Sequence, residues 1–223
     1  EKARGLTIDL GFAGTKLPSG RGISFIDVPG HVRFLKNMLA GVGGVDACIF
    51  VVAATEGWKP QSEEHLRILS LLGIRHGIVA LTKVGHVDDE LATIAQMEIA
   101  DRTEGTFLAD APIVPVDAIE GHGIDDLNTA LDHLLDVTPT ARDDKKPRLW
   151  IDRVFAAKGA GTVVTGTLTG GMVRVEDELT VLPQHTSVRV RGLQSQYADR
   201  TKVGPGNRVA ANLSGVSHDQ LRR

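Results

Sequence analysis

Hydrophobic positions in the first 137 residues alternate between short continuous runs and stretches with helical spacing. The continuous runs predict strands at residues 23–28, 45–54, 77–82 and 111–116. The stretches between them predict helices at residues 31–42, from Pro60 through residue 72, at 88–100 and at 124–135. Strands that are apolar throughout and separated by helices are typical of a parallel sheet covered on both faces.

The pattern changes after the residues that join the two halves of the chain. Short β segments separated by glycine-rich turns are predicted at residues 149–156, 162–169, 178–182, 187–193 and 208–213. This spacing predicts a small closed β-barrel. Residues 138–148 read T-P-T-A-R-D-D-K-K-P-R and have no apolar period, which indicates a linker. We therefore predict domains at 1–140 and 148–223, joined at 141–147, with the second domain not necessarily complete.

Composition is ordinary for a globular protein, with 42% hydrophobic and 24% charged residues among 223. No apolar run approaches the roughly 20 residues of a membrane helix, so we expect no membrane association. The single cysteine, Cys48, excludes a disulfide framework and fits the cytoplasm. Residues 1–145 carry a formal charge of −9 and residues 146–223 carry +6. The basic part could contact phosphate backbones, although a solvated basic surface explains the charge equally well.

Polar residues with possible nucleotide chemistry follow two of the predicted strands. Asp27 could hold a water of a magnesium ion, and the Gly30 N–H could approach a phosphate oxygen at a helix start. Lys83 could pack its stem on a purine, and Thr7 could ligate magnesium. Each of these residues alone fits an ordinary structural role at least as well. The histidines lack zinc-site spacing, and no nucleophile motif is present.

Taken together and in this order, the segments resemble translational GTPases of the elongation factor Tu class. E-K-A-R-G-L-T-I at 1–8 resembles the first switch, and D-V-P-G-H at 27–31 resembles the second. T-K-V-G at 82–85 stands where that family has N/T-K-x-D, and V-D-A at 116–118 stands where it has S-A. G-A-G-T-V-V-T-G-T at 159–167 resembles the first strands of the family's second-domain barrel.

Four further segments resemble the selenocysteine-specific elongation factors (the SelB family) rather than elongation factor Tu. They are G-L-T-I-D-L-G-F-A at 5–13, N-M-L-A-G-V-G-G-V-D at 37–46, I-D-R-V-F at 151–155 and R-V-R-G-L-Q at 189–194. The resemblance implies an α/β P-loop GTPase-like domain, with a parallel sheet incomplete at its N-terminus, followed by an all-β translation-factor barrel. It also implies GTP-dependent delivery of selenocysteyl-tRNA to the ribosome at recoded stop codons.

The resemblance implies a role for each matching residue. Thr7 would ligate magnesium and sense the γ-phosphate, and Asp27 would contact magnesium through water. Gly30 would donate its N–H to the γ-phosphate, and His31 would position the attacking water. The guanine-site positions are Thr82, Lys83 and Ala118, and the selenocysteine-pocket positions are Asp152, Arg153 and Arg208. Guanidinium groups would favour an ionised selenol over a neutral serine hydroxyl.

The resemblance extends to cofactors and partners. GTP or GDP with Mg²⁺ would be the cofactor, and selenocysteyl-tRNA and the ribosome would be the partners. In this family an mRNA hairpin is bound by further C-terminal domains, to which nothing in these 223 residues corresponds. We therefore expect no hairpin binding by this chain. We expect a cytoplasmic monomer.

The sequence departs from the family pattern at several positions. The phosphate loop G-x-x-x-x-G-K-[ST] does not occur in the 223 residues, so we expect this chain as it stands neither to bind GTP well nor to hydrolyse it. Gly85 replaces the carboxylate that reads guanine, and Asp88 or Asp117 could substitute for it. Val32 stands where a glutamate is usual. Two alternatives remain open: a degenerate or non-hydrolysing RNA-binding module, and another GTPase of the elongation factor Tu class.

Overall fold

The structure, a computed structural model, describes residues 9–31, 33, 38, 44–157, 159 and 161–221. Its first half contains five strands, of which two form an antiparallel hairpin and three form a parallel sheet in the order β3-β4-β5. The hairpin strands are β1 (Gly11–Lys16) and β2 (Gly22–Asp27). The parallel strands are β3 (Cys48–Ala53), β4 (Gly77–Thr82) and β5 (Ile113–Val116).

Three helices connect or follow the parallel strands: α1 (Pro60–Leu71), α2 (Asp89–Thr103) and α3 (Ile124–Val137). Pro60 occupies the first turn of α1, where its missing N–H costs nothing. Asp88 caps α2, because its Oδ1 accepts a hydrogen bond of 2.8 Å from the Leu91 backbone N–H. No helix in the described part of the chain is both long enough and apolar enough to cross a bilayer.

The core lies on both faces of the parallel sheet. Val79 and Leu81 of β4 pack in one apolar cluster with residues of α1 and α2. Ile78, whose side chain points to the opposite face, packs with Leu131 and Leu134 of α3. This arrangement confirms the predicted parallel sheet covered by helices, and it explains why these strands are apolar at almost every position.

The hairpin departs from the predicted arrangement. The strand predicted at 23–28 exists as β2, but it pairs antiparallel with β1 and is not hydrogen-bonded to the parallel sheet among the described residues. The apolar pattern did not predict β1, because its sequence G-F-A-G-T-K contains two glycines and is largely exposed. The turn of the hairpin is held to α3, where Arg21 donates to Asp132 at 3.0 Å and to Asp136 at 2.7 Å.

The second half of the described chain is all β. Its strands are β6 (Arg148–Ala157), β7 (Gly161–Thr169), β8 (Val173–Arg174), β9 (Glu178–Val181), β10 (Thr186–Ser195), β11 (Ala198–Arg200), β12 (Lys202–Val203) and β13 (Asn207–Ser214). One antiparallel sheet runs β11-β10-β13-β7-β6 with β9 also paired to β10, and β8 pairs with β12. The five predicted segments are confirmed. The strands β8, β11 and β12 are too short to show a period.

This all-β half has its own hydrophobic cluster. Buried residues such as Val164, Val190 and Leu213 belong to it, and none of its members precedes Leu149. Residues 138–147 form neither helix nor strand. Separate clusters joined by an irregular segment agree with two domains, and the boundaries at 140 and 148 remain a prediction.

Candidate functional site

The carboxyl ends of the three parallel strands lie side by side. Thr82 at the end of β4 is in register with Ala53 of β3 and Val116 of β5. The residues that follow each strand therefore begin their loops at one edge of the sheet, which is where ligands bind in such folds. The predicted guanine-site residues Thr82, Lys83 and Ala118 all come from this edge.

Lys83 begins a tight turn at this edge. Its backbone is left-handed, with a φ of 59°, and a short 3₁₀ turn (Val84–His86) follows it. The Nζ atom of Lys83 lies 3.6 Å from Glu56 Oε1, and both side chains are about half exposed. An ion pair so exposed contributes little to stability. The fold thus leaves the Lys83 side chain at the surface, where a purine ring could lie against its stem.

Asp117 follows β5 directly and is 2% exposed. Its Oδ1 accepts hydrogen bonds from the backbone N–H groups of Ile119 at 3.0 Å and Glu120 at 3.3 Å. A Cβ atom at Gly85 would lie 2.9 Å from Asp117 Oδ2, so the two positions compete for one space. The Glu120 N–H, followed by those of Ile119 and His86, lowers the pKa of Asp117, against the opposing effect of burial. The carboxylate is therefore held ionised.

The predicted phosphate-side residues lie after β2. Asp27 ends that strand with an exposed side chain, and Gly30 is exposed as well. His31 Nδ1 accepts a hydrogen bond of 3.2 Å from the Arg33 backbone N–H. Gly30 and His31 line a cavity of about 430 Å³, together with His65 and other residues of α1 and the loop that precedes it. Thr7 and most of the helix predicted at 31–42 lie outside the described residues.

The donor set near Asp27 fits a hydrated magnesium ion. Magnesium at nucleotide sites keeps several waters and takes one or two protein ligands besides the phosphates. Asp27 offers an exposed carboxylate at a strand end. The described residues contain no group of three or more His, Cys, Asp or Glu side chains arranged to hold a metal directly. A contact through water is thus the chemistry that Asp27 could provide.

In the all-β half, Asp152 and Arg208 form a largely buried ion pair. Arg208 Nη1 donates to Asp152 Oδ2, and Arg208 Nη2 donates to Asp152 Oδ1 at 2.9 Å. The Thr165 hydroxyl donates to the same Oδ1 at 2.8 Å. The register between β6 and β7 shifts at Asp152, between Ile151 and Arg153. Such a bulge re-aims a side chain, and here it accompanies the contacts of Asp152 with Thr165 of β7 and Arg208 of β13.

Arg153 reaches across to the hairpin of the first half. Its Nη2 donates to the Leu10 carbonyl at 2.8 Å, and its guanidinium carbon lies 5.0 Å from the centre of the Phe12 ring. The guanidinium carbon of Arg208 lies 3.3 Å from the same centre. Two cations therefore face one aromatic ring, and Asp152 forms an ion pair with one of them, Arg208. The structure brings all three predicted pocket residues together.

Three residues of this cluster were not predicted as site residues. Phe12 lies in the segment G-L-T-I-D-L-G-F-A, which carried the family resemblance but indicated no role for it. Leu10 contributes only its backbone carbonyl, which no sequence pattern can show. Thr165 lies on a neighbouring strand, where its contact with Asp152 depends on the register between β6 and β7.

Comparisons with known proteins agree with this geometry. The family model for the elongation factor Tu GTP binding domain matches residues 1–137. A selenocysteine-specific elongation factor from Desulfomicrobium baculatum is 43% identical over 223 residues, covering all of this chain and 35% of that protein. The crystal structure of a bacterial selenocysteine-specific elongation factor, EF-Sec, superposes with a TM-score of 0.95 at 40% identity, covering all of this chain and 38% of its own.

An archaeal structure extends the comparison. The elongation factor SelB from Methanococcus maripaludis, in complex with the GTP analogue GppNHp, matches with a TM-score of 0.90 at 34% identity, over 97% of this chain and 48% of its own. The chain thus spans about a third of the length of the curated bacterial relatives that it matches. The chain belongs to the family of translational GTPases that carry an elongation factor Tu GTP-binding domain, and over its whole length it is similar to the selenocysteine-specific elongation factors.

Proposed function

We propose that the chain is part of a GTP-dependent elongation factor that delivers selenocysteyl-tRNA to the ribosome at recoded stop codons, in the cytoplasm, and that the chain supplies the amino-acid pocket of that factor and part of its nucleotide site. The observation that carries this proposal is the pair of guanidinium groups that converge on Phe12 beside one carboxylate. Asp152 neutralises Arg208, and Arg153 makes no ion pair with the described residues. The side chains of Asp152, Arg153 and Arg208 together therefore carry one net positive charge.

An excess positive charge would discriminate between selenocysteine and serine, whose side chains differ only in a selenium or an oxygen atom. A selenol is largely ionised at neutral pH, whereas a serine hydroxyl is neutral. Hydrogen bonds from a guanidinium to an anion are roughly twice as strong as those to a neutral acceptor. Arg153 would bind the selenolate, and Asp152 would hold Arg208 in place beside it. Selenocysteyl-tRNA would thus be preferred over seryl-tRNA.

The nucleotide would bind in the first domain, which we place at residues 1–140, before the linker at 141–147 and the barrel domain at 148–223. Asp27 would hold magnesium through water, Gly30 would donate to the γ-phosphate, and His31 would position the attacking water. Thr7 keeps its predicted role at the magnesium ion. Thr82, Lys83 and Ala118 would contact the base. GTP with Mg²⁺, when bound, would supply the bond whose hydrolysis drives release of the tRNA.

The test compares one tRNA in three states: charged with selenocysteine, charged with serine, and uncharged. We expect the chain to bind the selenocysteyl form at least about tenfold more tightly than the seryl form, which corresponds to about 1.4 kcal/mol. Arg153→Ala should remove this preference. Arg142→Ala, which changes a side chain that is 89% exposed, serves as the matched control and should keep it.

Two results would contradict the proposal. Equal binding of seryl- and selenocysteyl-tRNA, with weaker binding of uncharged tRNA, would indicate another GTPase of the elongation factor Tu class. Equal binding of all three forms would support the non-hydrolysing RNA-binding module instead.

A further inference from the structure

One oxygen of the Asp117 carboxylate is buried and receives no well-aligned hydrogen bond from the described residues. Oδ1 receives two backbone N–H groups, but Oδ2 has no hydrogen bond of ordinary geometry from any described residue. The imidazole Nδ1 atom of His86 lies 3.3 Å from it, outside good hydrogen-bond alignment. A buried anionic oxygen whose donors are poorly aligned costs free energy, so a ligand that brings well-aligned N–H groups to Oδ2 would be bound favourably.

Asp117 Oδ2 lies where a side chain at residue 85 would project, and residue 85 is glycine. A Cβ at Gly85 would lie 2.9 Å from Asp117 Oδ2, closer than real Cβ contacts allow. The carboxylate of residue 117 therefore fills the space into which a side chain at residue 85 would project. The resemblance places an acidic residue at 85 and a serine at 117, and this chain has glycine and aspartate at those positions. The two differences together keep a carboxylate beside residue 85.

We propose that Asp117 selects the base of the bound nucleotide, its Oδ2 accepting the N1–H and exocyclic N–H groups of guanine. The proposal rests on nucleotide binding at this edge of the sheet, as proposed above. A carboxylate oxygen has two lone pairs, so Oδ2 can accept both donors. The His86 side chain is 54% exposed and would move aside without leaving a buried group behind.

The chemistry of the purines makes the proposal specific. Adenine offers an acceptor instead of the N1–H, and hypoxanthine lacks the exocyclic amine. Xanthine presents a carbonyl oxygen where guanine has the amine, so it would face the carboxylate with like polarity. An asparagine at 117 carries both an acceptor and a donor, and the donor suits the xanthine carbonyl.

The test is a titration of the ¹⁵N-labelled chain with GMP, IMP and XMP, followed at the amide signals of Lys83, Gly85 and Ala118. The three monophosphates differ only in the base, so differences in affinity report on base recognition. The NMR titration also measures weak binding. We expect GMP to bind about ten- to a hundredfold more tightly than IMP, as expected for one hydrogen bond to a charged group. XMP should bind least. Asp117→Asn should reverse the order of GMP and XMP.

Glu120→Gln is the matched control, because Glu120 Oε2 would lie 3.3 Å from the same Cβ at residue 85. It should leave the preference for GMP unchanged. A reversal by Glu120→Gln, or an unchanged preference in Asp117→Asn, would overturn the assignment to Asp117.

A double variant separates this inference from the proposed function. Gly85→Asp with Asp117→Ser restores the family arrangement and should prefer GMP as the original chain does. If only the double variant prefers GMP, the site binds guanine nucleotides, but Asp117 is not the residue that recognises the base. If no variant binds any of the three nucleotides, both the base site and this inference are wrong. Gly85→Asp should lower the Tm when it is made alone, because its Cβ would lie 2.9 Å from Asp117 Oδ2. In the double variant Asp117→Ser removes that carboxylate, so the decrease in Tm should be smaller.

Discussion

Replacement of Arg208 by alanine tests whether the ion pair between Asp152 and Arg208 is desolvated in the folded barrel. Arg208 donates two hydrogen bonds to Asp152 and one to Thr165 at 3.1 Å, and it lies over the Phe12 ring. The side chains of Asp152 and Arg208 are 7% and 19% exposed. After Arg208→Ala, the Asp152 carboxylate keeps the Thr165 hydroxyl as a hydrogen-bond donor and has no cation in contact among the described residues.

The size of the effect follows from this desolvation. Removal of one partner of a buried ion pair leaves an unpaired charge and typically costs about 3–5 kcal/mol. In a domain of the size of the barrel, about 1 kcal/mol corresponds to roughly 4–8 °C in Tm, so the barrel should melt roughly 12–40 °C lower. Arg153→Ala is the matched comparison. It removes one hydrogen bond, to the Leu10 carbonyl, and the contact of the guanidinium with the Phe12 ring, and should cost only about 1–2.5 kcal/mol.

Thermal and urea unfolding would be followed by the fluorescence of Trp150, which lies on β6, in a Trp58→Phe background that leaves one tryptophan. The double variant with Asp152→Ala should recover much of the stability lost in Arg208→Ala, because the unpaired charge is then absent. If Arg208→Ala melted within about 2 °C of the original chain, or if the double variant recovered nothing, the buried-pair reasoning would be refuted.

Three further predictions concern other buried groups. Trp58 Nε1 has no hydrogen-bond partner among the described residues, so Trp58→Phe, which keeps the stacking on Phe50, should not lower stability by more than about 0.5 kcal/mol in urea unfolding. Burial raises the pKa of Cys48 to about 12, so its thiol should react with a disulfide reagent at pH 8 only after unfolding; fast reaction of the folded chain would contradict this. The N–H groups of Glu120 and Ile119 lower the pKa of Asp117, so its contribution to stability is complete above about pH 4 and is lost as the pH falls through the lower folded value. Asp117→Asn should therefore flatten the acid limb of a stability–pH curve, and identical limbs would show the reasoning to be wrong.

Prediction from the sequence succeeded where burial on two faces leaves a strong pattern. The strand β4 is buried at five consecutive positions, so its apolar run was clear. Helix α1 began at Pro60 as predicted, since proline marks a first turn. The strand β1 was missed because it is mostly exposed and carries glycines, and the pairing of β2 depends on it. A half-exposed hairpin leaves no period to detect.

The guanine-site and pocket residues could be named from short motifs, but their contacts could not. Asp152 and Arg208 are 56 residues apart, and their bidentate pairing requires β13 to lie beside β7 and β7 beside β6. Phe12 is farther still and belongs to the other half of the chain. Such contacts depend on strand order, register and one bulge, none of which has a local signature.

The amino-acid sequence by itself determined the longer, well-buried strands and helices, the family and the residue types available for chemistry. These properties are local: they follow from apolar periods, turn residues and short motifs. Only the tertiary structure decided that the carboxylate of Asp117 takes the space beside Gly85, and that Arg153 and Arg208 share the Phe12 ring. The physical reason is that each of these contacts joins residues from elements or loops that are distant in the sequence, whose meeting depends on how the sheets and their loops pack.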